Sequence, residues 1–122
     1  MAAGKPFRAG PLALTNVLTT DLLNPAAASG GVNGGSSGQK IVITQVNIVN
    51  KTVGAVTCSF WLGATGGNVA GTEILGQGLS VAANERKQIN CNMVLDTTDF
   101  LVGGASANAS LTIELEGYVV VA

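Results

Sequence analysis

The chain has 122 residues, six basic and seven acidic, giving a net charge of −1, and it contains no histidine. This length suits one domain, and a hydrophobic fraction of 47% excludes an intrinsically disordered chain. Near-neutrality excludes binding to nucleic acid or an anionic membrane through bulk charge, and it suits a protein held in an assembly rather than a concentrated free monomer.

The opening MAAGKPFRAGPLAL lacks the continuous apolar run of a signal peptide, and no stretch approaches the ~20 apolar residues of a membrane span. Synthesis in a cytoplasm is therefore expected. Residues 1–11, punctuated by Gly4, Pro6, Gly10 and Pro11, read as an N-terminal arm ahead of a domain spanning 12–122. Leu12 to Leu23 alternates loosely and predicts a first, weak strand. Residues 24–39 (NPAAASGGVNGGSSGQ) read as a flexible Gly/Ser/Ala-rich loop, long enough to be a place for partner contacts.

Lys40 to Asn50 predicts a strand with Val42, Val46 and Ile48 on one parity and Ile41, Ile43 and Val49 on the other, the mark of a strand covered on both faces. After the turn Asn50–Gly54, Val56, Cys58, Phe60 and Leu62 alternate with Thr57, Ser59 and Trp61 in a strand with one packed face. A glycine-rich loop (64–71), a short strand at Thr72–Leu75 and a turn region over Ser80–Glu85 are expected next. In Arg86–Leu95, Ile89, Cys91, Met93 and Leu95 alternate with Gln88, Asn90 and Asn92. Phe100–Val102 predicts a short strand ended by Gly103–Gly104. The longest strand, Ala109–Val121, carries the apolar row Leu111, Ile113, Leu115, Val119 and Val121, interrupted only by Gly117. The expected architecture is all-β: a single antiparallel β-sandwich, jelly-roll-like, of seven to eight strands with an extended N-terminal arm.

Chemical equipment is sparse. Without histidine, a nucleophile would need a carboxylate, lysine or N-terminal base. Glu114 and Glu116 share one side of the last strand, as an acid/base pair would, but alternating glutamates on an exposed strand face ordinarily meet solvent and discourage edge pairing. Asp96-Thr97-Thr98-Asp99 lacks the dense oxygen pattern of a calcium loop and reads as a side-chain-stabilised turn. Gly76-Gln77-Gly78 is no phosphate loop, and the glycosylation patterns at Asn50 and Asn108 lack a secretory context. Cys58 and Cys91 fall on inward parities, open either to an inter-sheet disulfide or to two buried thiols, the latter favoured in a reducing compartment. Trp61 lies on the outward parity, as an interface or sugar-stacking anchor or as a side chain covered by loop residues of the same chain such as the 24–39 segment. No catalytic, cofactor or metal site is expected; Lys5, Pro6, Phe7, Arg8 and Trp61 are the expected partner contacts.

The segment KIVITQVNIVNKTVGAVTCSFWLGATGG (residues 40–67) resembles the small β-sandwich virion proteins of tailed bacteriophages, where an Asn-rich turn leads to a strand closing on an apolar–Gly pair, here Leu62-Gly63. Ile74-Leu75-Gly76, the run Gly78 to Glu85, Asp99-Phe100-Leu101 and Leu111 to Val119 extend the likeness over residues 40–121. The arm and the 24–39 loop depart from it. The resemblance implies a capsid decoration (cement) protein on the capsid surface, commonly a homotrimer, bridging neighbouring subunits of the major capsid protein or other virion proteins. The alternatives are a neck or tail accessory, or a receptor- or carbohydrate-binding module using Trp61 and the loops 64–71 and 103–108.

Overall fold

A computed structural model describes residues 3–24, 33–34 and 40–121 of the chain. Among these residues there is no helix, and nine strands form two sheets. The strands are β1 (Ala3–Ala13), β2 (Asp21–Asn24), β3 (Asn33–Gly34), β4 (Ile41–Asn50), β5 (Val56–Gly63), β6 (Leu79–Val81), β7 (Arg86–Leu95), β8 (Phe100–Ala105) and β9 (Leu111–Val121). One sheet has the order β1-β9-β4-β7, and the other the order β3-β2-β8-β5-β6. All pairs are antiparallel except β2–β3, a two-residue parallel contact inside the predicted 24–39 loop. The remainder of that loop lies outside the described residues.

The order follows from one long hairpin rolled on itself. Its tip joins β5 to β6, and moving outward β4 pairs with β7, β2 with β8 and β1 with β9. Rolling adds the pairs β4–β9 and β5–β8, which sort the four ribbons alternately into two sheets. This is the jelly roll of two Greek keys, so the expected sandwich is present. Its core draws on both layers: Ile41, Ile43, Val46, Ile48, Ile113 and Leu115 from the first sheet meet Leu23, Val56, Phe60, Val81 and Leu101 from the second in a single buried cluster. Each such side chain stabilises the fold by roughly 1.5–3 kcal/mol relative to exposure.

The predicted arm is instead an edge strand. β1 pairs with β9 from Ala3↔Val121 to Ala13↔Thr112, and Ala9 is buried. Its periodicity is hidden by a bulge. Ala9 faces Leu115 and Leu12 faces Ile113, so Gly10 and Pro11 together oppose Glu114. The inward row passes from Phe7 and Ala9 to Leu12 and Leu14, a change of parity across the bulge. Gly10 has φ +94, and a Cβ there would lie 2.6 Å from the Ile113 carbonyl oxygen, which is why glycine occupies it. The weak strand expected over Leu12–Leu23 is thus the end of β1, a connection and β2.

β4 corrects a second expectation. Its apolar residues fall on both parities because Thr44 is an extra residue between Ile43↔Gly117 and Gln45↔Glu116. Ile41 and Ile43 point inward before this bulge, and Val46 and Ile48 after it. Opposite the bulge, the backbone of β4 comes so close that a Cβ on Gly117 would overlap the Val42 carbonyl. That explains the gap in the apolar row of β9.

Smaller differences share one cause, backbone pairing without regular periodicity. Thr72–Leu75 is not a strand, although Leu62 N donates to Thr72 O and Phe60 N to Gly76 O along the flank of β5. β6 occupies Leu79–Val81, at the expected turn region, and β8 continues through Gly103 and Gly104 to Ala105. Gly104 accommodates the β1–β2 connection, since a Cβ there would lie 2.6 Å from Val17 O and 2.9 Å from Thr15 O.

Candidate functional site

Antiparallel register places the outward residues of the four-stranded sheet in rows across β1, β9, β4 and β7. The first row is apolar: Pro6, Tyr118, Val42 and Val94. Val94 and Tyr118 are 51% and 40% exposed. Next come Arg8, Glu116, Gln45 and Asn90, then Glu114, Asn47 and Gln88, and then Ala13, Thr112, Val49 and Arg86. Apolar residues thus border a field of amides and carboxylates with an arginine at two of its margins.

The field is hydrogen-bonded across strands. Asn47 Nδ2 donates to Gln45 Oε1 and to Glu114 Oε1, both at 3.1 Å, and Gln45 Nε2 donates to Asn90 Oδ1 at 3.4 Å. Asn47 Oδ1 is buried and has no hydrogen-bond partner among the described residues. Glu114 and Glu116, two residues apart on one side of β9, interact directly: the Glu114 side-chain hydrogen bond first, then its charge and partial desolvation, raise the Glu116 carboxyl above its ordinary value, while Arg8 lowers it. A cleft of ≈340 Å³ opens here, lined by Pro11, Gln45, Asn47, Val49, Arg86, Gln88, Thr112, Glu114 and Glu116. A shallower depression of ≈460 Å³ beside it touches Pro6, Phe7, Arg8, Thr44, Glu116 and Gly117.

The sequence-predicted contacts separate on this scaffold. Pro6 and Arg8 are exposed on the outer face of the four-stranded sheet, while Phe7 alternates inward and packs against the core. Lys5 pairs through its backbone with Val119, and its side chain lies outside the described residues. Trp61 keeps its outward parity but is only 5% exposed, so it offers no free anchor. It pairs with the fully buried Val102 on β8, and the β1–β2 connection is bonded beside it, Gly103 N to Thr20 O and Ala105 N to Thr15 O, each at 2.9 Å. The chain itself closes this face, through the β1–β2 connection and not the 24–39 segment that the covered-tryptophan alternative names, most of which lies outside the described residues. Of the loops paired with Trp61 in the receptor- or carbohydrate-binding reading, Gly103–Ala105 is buried strand, and 64–71 is clasped to β2 through Thr65 Oγ1 and Gly66 N, which donate to the Asp21 carboxylate at 2.5 and 2.7 Å.

Other candidates resolve into structure. Cys58 and Cys91 are free thiols. Burial pushes the Cys58 thiol up to about 11 despite the nearby Lys87 charge, and Cys91 is also raised, chiefly by burial. Both Sγ atoms point at carbonyls, of Leu79 and Ile43 respectively. Asp96–Asp99 is a turn in which Asp99 Oδ2 accepts from Asp96 N and Asp96 Oδ1 from Thr97 N. Among the described residues, no group of three or more acidic, cysteine or histidine side chains is placed to hold a metal. Asn50 is fully buried; its Nδ2 donates to Gly54 O and Val81 O, and its Oδ1 accepts from Thr52 N and Oγ1. Its glycosylation pattern is therefore a turn-building device.

Gln45, Asn47 and Gln88 were not among the expected site residues. The outward parity of Gln88 is legible, whereas the bulge at Thr44 conceals that of Gln45 and Asn47, and their convergence with Glu114 depends on β4 lying between β9 and β7.

No family model and no curated protein matches the chain. Among solved structures, the structure of the infectious bursal disease virus Gx strain has a TM-score of 0.34 and 10% identity over 98% of this chain and 26% of that one. The Gt strain of the same virus gives the same score and identity over 98% and 28%. The chain thus spans about a quarter of the length of those chains. Its fold is assigned from its own strand order.

Proposed function

We propose that this chain is a non-enzymatic virion structural protein that decorates and stabilises a tailed-phage capsid by bridging neighbouring capsid subunits. The observation that carries this reading is the coincidence of the phage-like sequence pattern with complete elements of a jelly roll. Residues 40–67 span β4, its turn and β5, with Leu62-Gly63 at the end of β5, and residues 111–119 lie within β9. The pattern therefore covers the hairpin tip and both inner ribbons of the roll rather than scattered loops. Pro6 and Arg8 on the outer face, beside the apolar row through Tyr118 and Val94, supply side chains for a neighbouring subunit. Many weak contacts of this kind, repeated over a shell, stabilise it by multivalency without chemistry.

Mass spectrometry of purified particles tests the reading. Copies on the order of hundreds per particle, as multivalent decoration requires, support it. About a dozen or fewer, as in a closed symmetric ring, assign the chain to the neck or tail, and its absence from particles overturns the virion role. Arg8→Glu, at an exposed position, should reduce incorporation while leaving the purified chain folded.

A further inference from the structure

The virion reading leaves the amide-rich cleft on the four-stranded sheet without a role. We propose that this cleft binds a neutral saccharide of one or two rings, whose hydroxyls pair with Gln45, Gln88, Arg86, Glu114 and Glu116, with Asn47 holding Gln45 and Glu114 in position. Its volume of ≈340 Å³ lies at the lower end of the ~300–1,000 Å³ of small-molecule sites.

Charge selects a neutral ligand. The adjacent carboxylates of Glu114 and Glu116 repel an anion. Arg86 on the lining and Arg8 opposite Glu116 balance them against an organic cation, and the described residues form no cluster suited to a metal ion. Hydrogen-bond capacity then selects hydroxyls. Ionised carboxylates only accept, guanidinium only donates, and amides do both. A ligand that satisfies all three across one small cleft must donate and accept from the same atoms at several neighbouring positions, which a ring of hydroxyls does. Pro11 and Val49 give the C–H face of such a ring an apolar surface.

The cleft is ordered without a ligand. Asn47 fixes Gln45 and Glu114 in place, so little side-chain freedom remains to be lost on binding. With both Nδ2 hydrogens used within the protein and Oδ1 buried, Asn47 acts as a fixed post between its neighbours.

The test is an NMR titration of the full-length ¹⁵N-labelled chain with glucose, galactose, mannose, N-acetylglucosamine and their disaccharides. At least one sugar should give saturable shifts confined to residues 45–49, 86–90 and 112–116. Arg86→Ala at an exposed position, and separately Asn47→Ala, which releases Gln45 and Glu114, should each weaken that binding about tenfold, the effect expected of losing a good polar contact, with the well-dispersed spectrum of the free chain retained. No saturable shift at about 50 mM sugar, far above a millimolar Kd, overturns the proposal. So do shifts mapping elsewhere, a response to calcium ions alone, or unchanged binding in both variants. Because the assay uses the isolated chain, its failure leaves the particle measurements untouched, and a chain missing from particles leaves the cleft proposal standing.

Discussion

Glu116 shows how one residue's chemistry is set by its strand partners. Its carboxyl holds a proton to higher pH in the folded chain than its ordinary value of 4.5, first because the protonated form hydrogen-bonds to Glu114 and then because ionising it places a second negative charge beside that residue. A raised folded-state value means the native state binds more protons than the unfolded state across that window, so its contribution to stability is present at low pH and lost as pH rises through the folded value. Glu114→Gln should lower the Glu116 midpoint and flatten the pH dependence of stability just above pH 4.5. Carboxyl-carbon NMR titration alongside urea unfolding reads both; an unchanged Glu116 midpoint would show that Glu114 is not the cause. The two glutamates were legible as neighbours on one side of β9, whereas Arg8 opposite Glu116 was not, because the bulge at Gly10–Pro11 conceals the periodicity of β1.

At the scale of the element, the two bulges do most to shape the first sheet. Thr44 is the extra residue in β4, and Gly117 admits the close approach of the neighbouring Val42–Ile43 backbone. Gly117→Ala drives a methyl group into backbone that cannot swing aside, unlike the end of a flexible side chain. Overpacking of this kind typically costs about 1–3 kcal/mol. A lower urea midpoint with an unchanged m-value is the expected result, and unaltered stability would show that β4 relaxes away. Alternation identified β5, β7 and β9 from sequence because none of those strands changes its inward parity. It misread β4 and concealed β1 because a single extra residue moves every later side chain to the other face.

At the scale of the molecule, β1 is the outermost ribbon of the roll and its removal is structural. Deleting residues 1–11 takes away most of the ladder to β9 and the buried Ala9, exposing β9 as a new edge beside the core. The truncated chain should lose its cooperative thermal transition and NMR dispersion. A truncated chain that stays folded would restore the picture of a dispensable arm. The proposed contact with a shell is therefore tested by surface substitutions such as Arg8→Glu, whereas truncation removes the whole strand on which Arg8 sits. Pro6 and Pro11 also suit β1 to its edge position, since neither can donate a backbone hydrogen bond to a further strand.

The sequence by itself determined the all-β class, the sandwich, the main inward rows and the scarcity of chemical groups, because period-two burial and residue type are local properties. Tertiary structure alone decided that the N-terminal segment is a strand, that Trp61 is covered, and that Gln45, Asn47, Gln88 and Glu114 share one cleft. Each of these depends on which strands become neighbours when the hairpin rolls, and the contacts that fix that order join residues up to about 118 positions apart, from Ala3 to Val121.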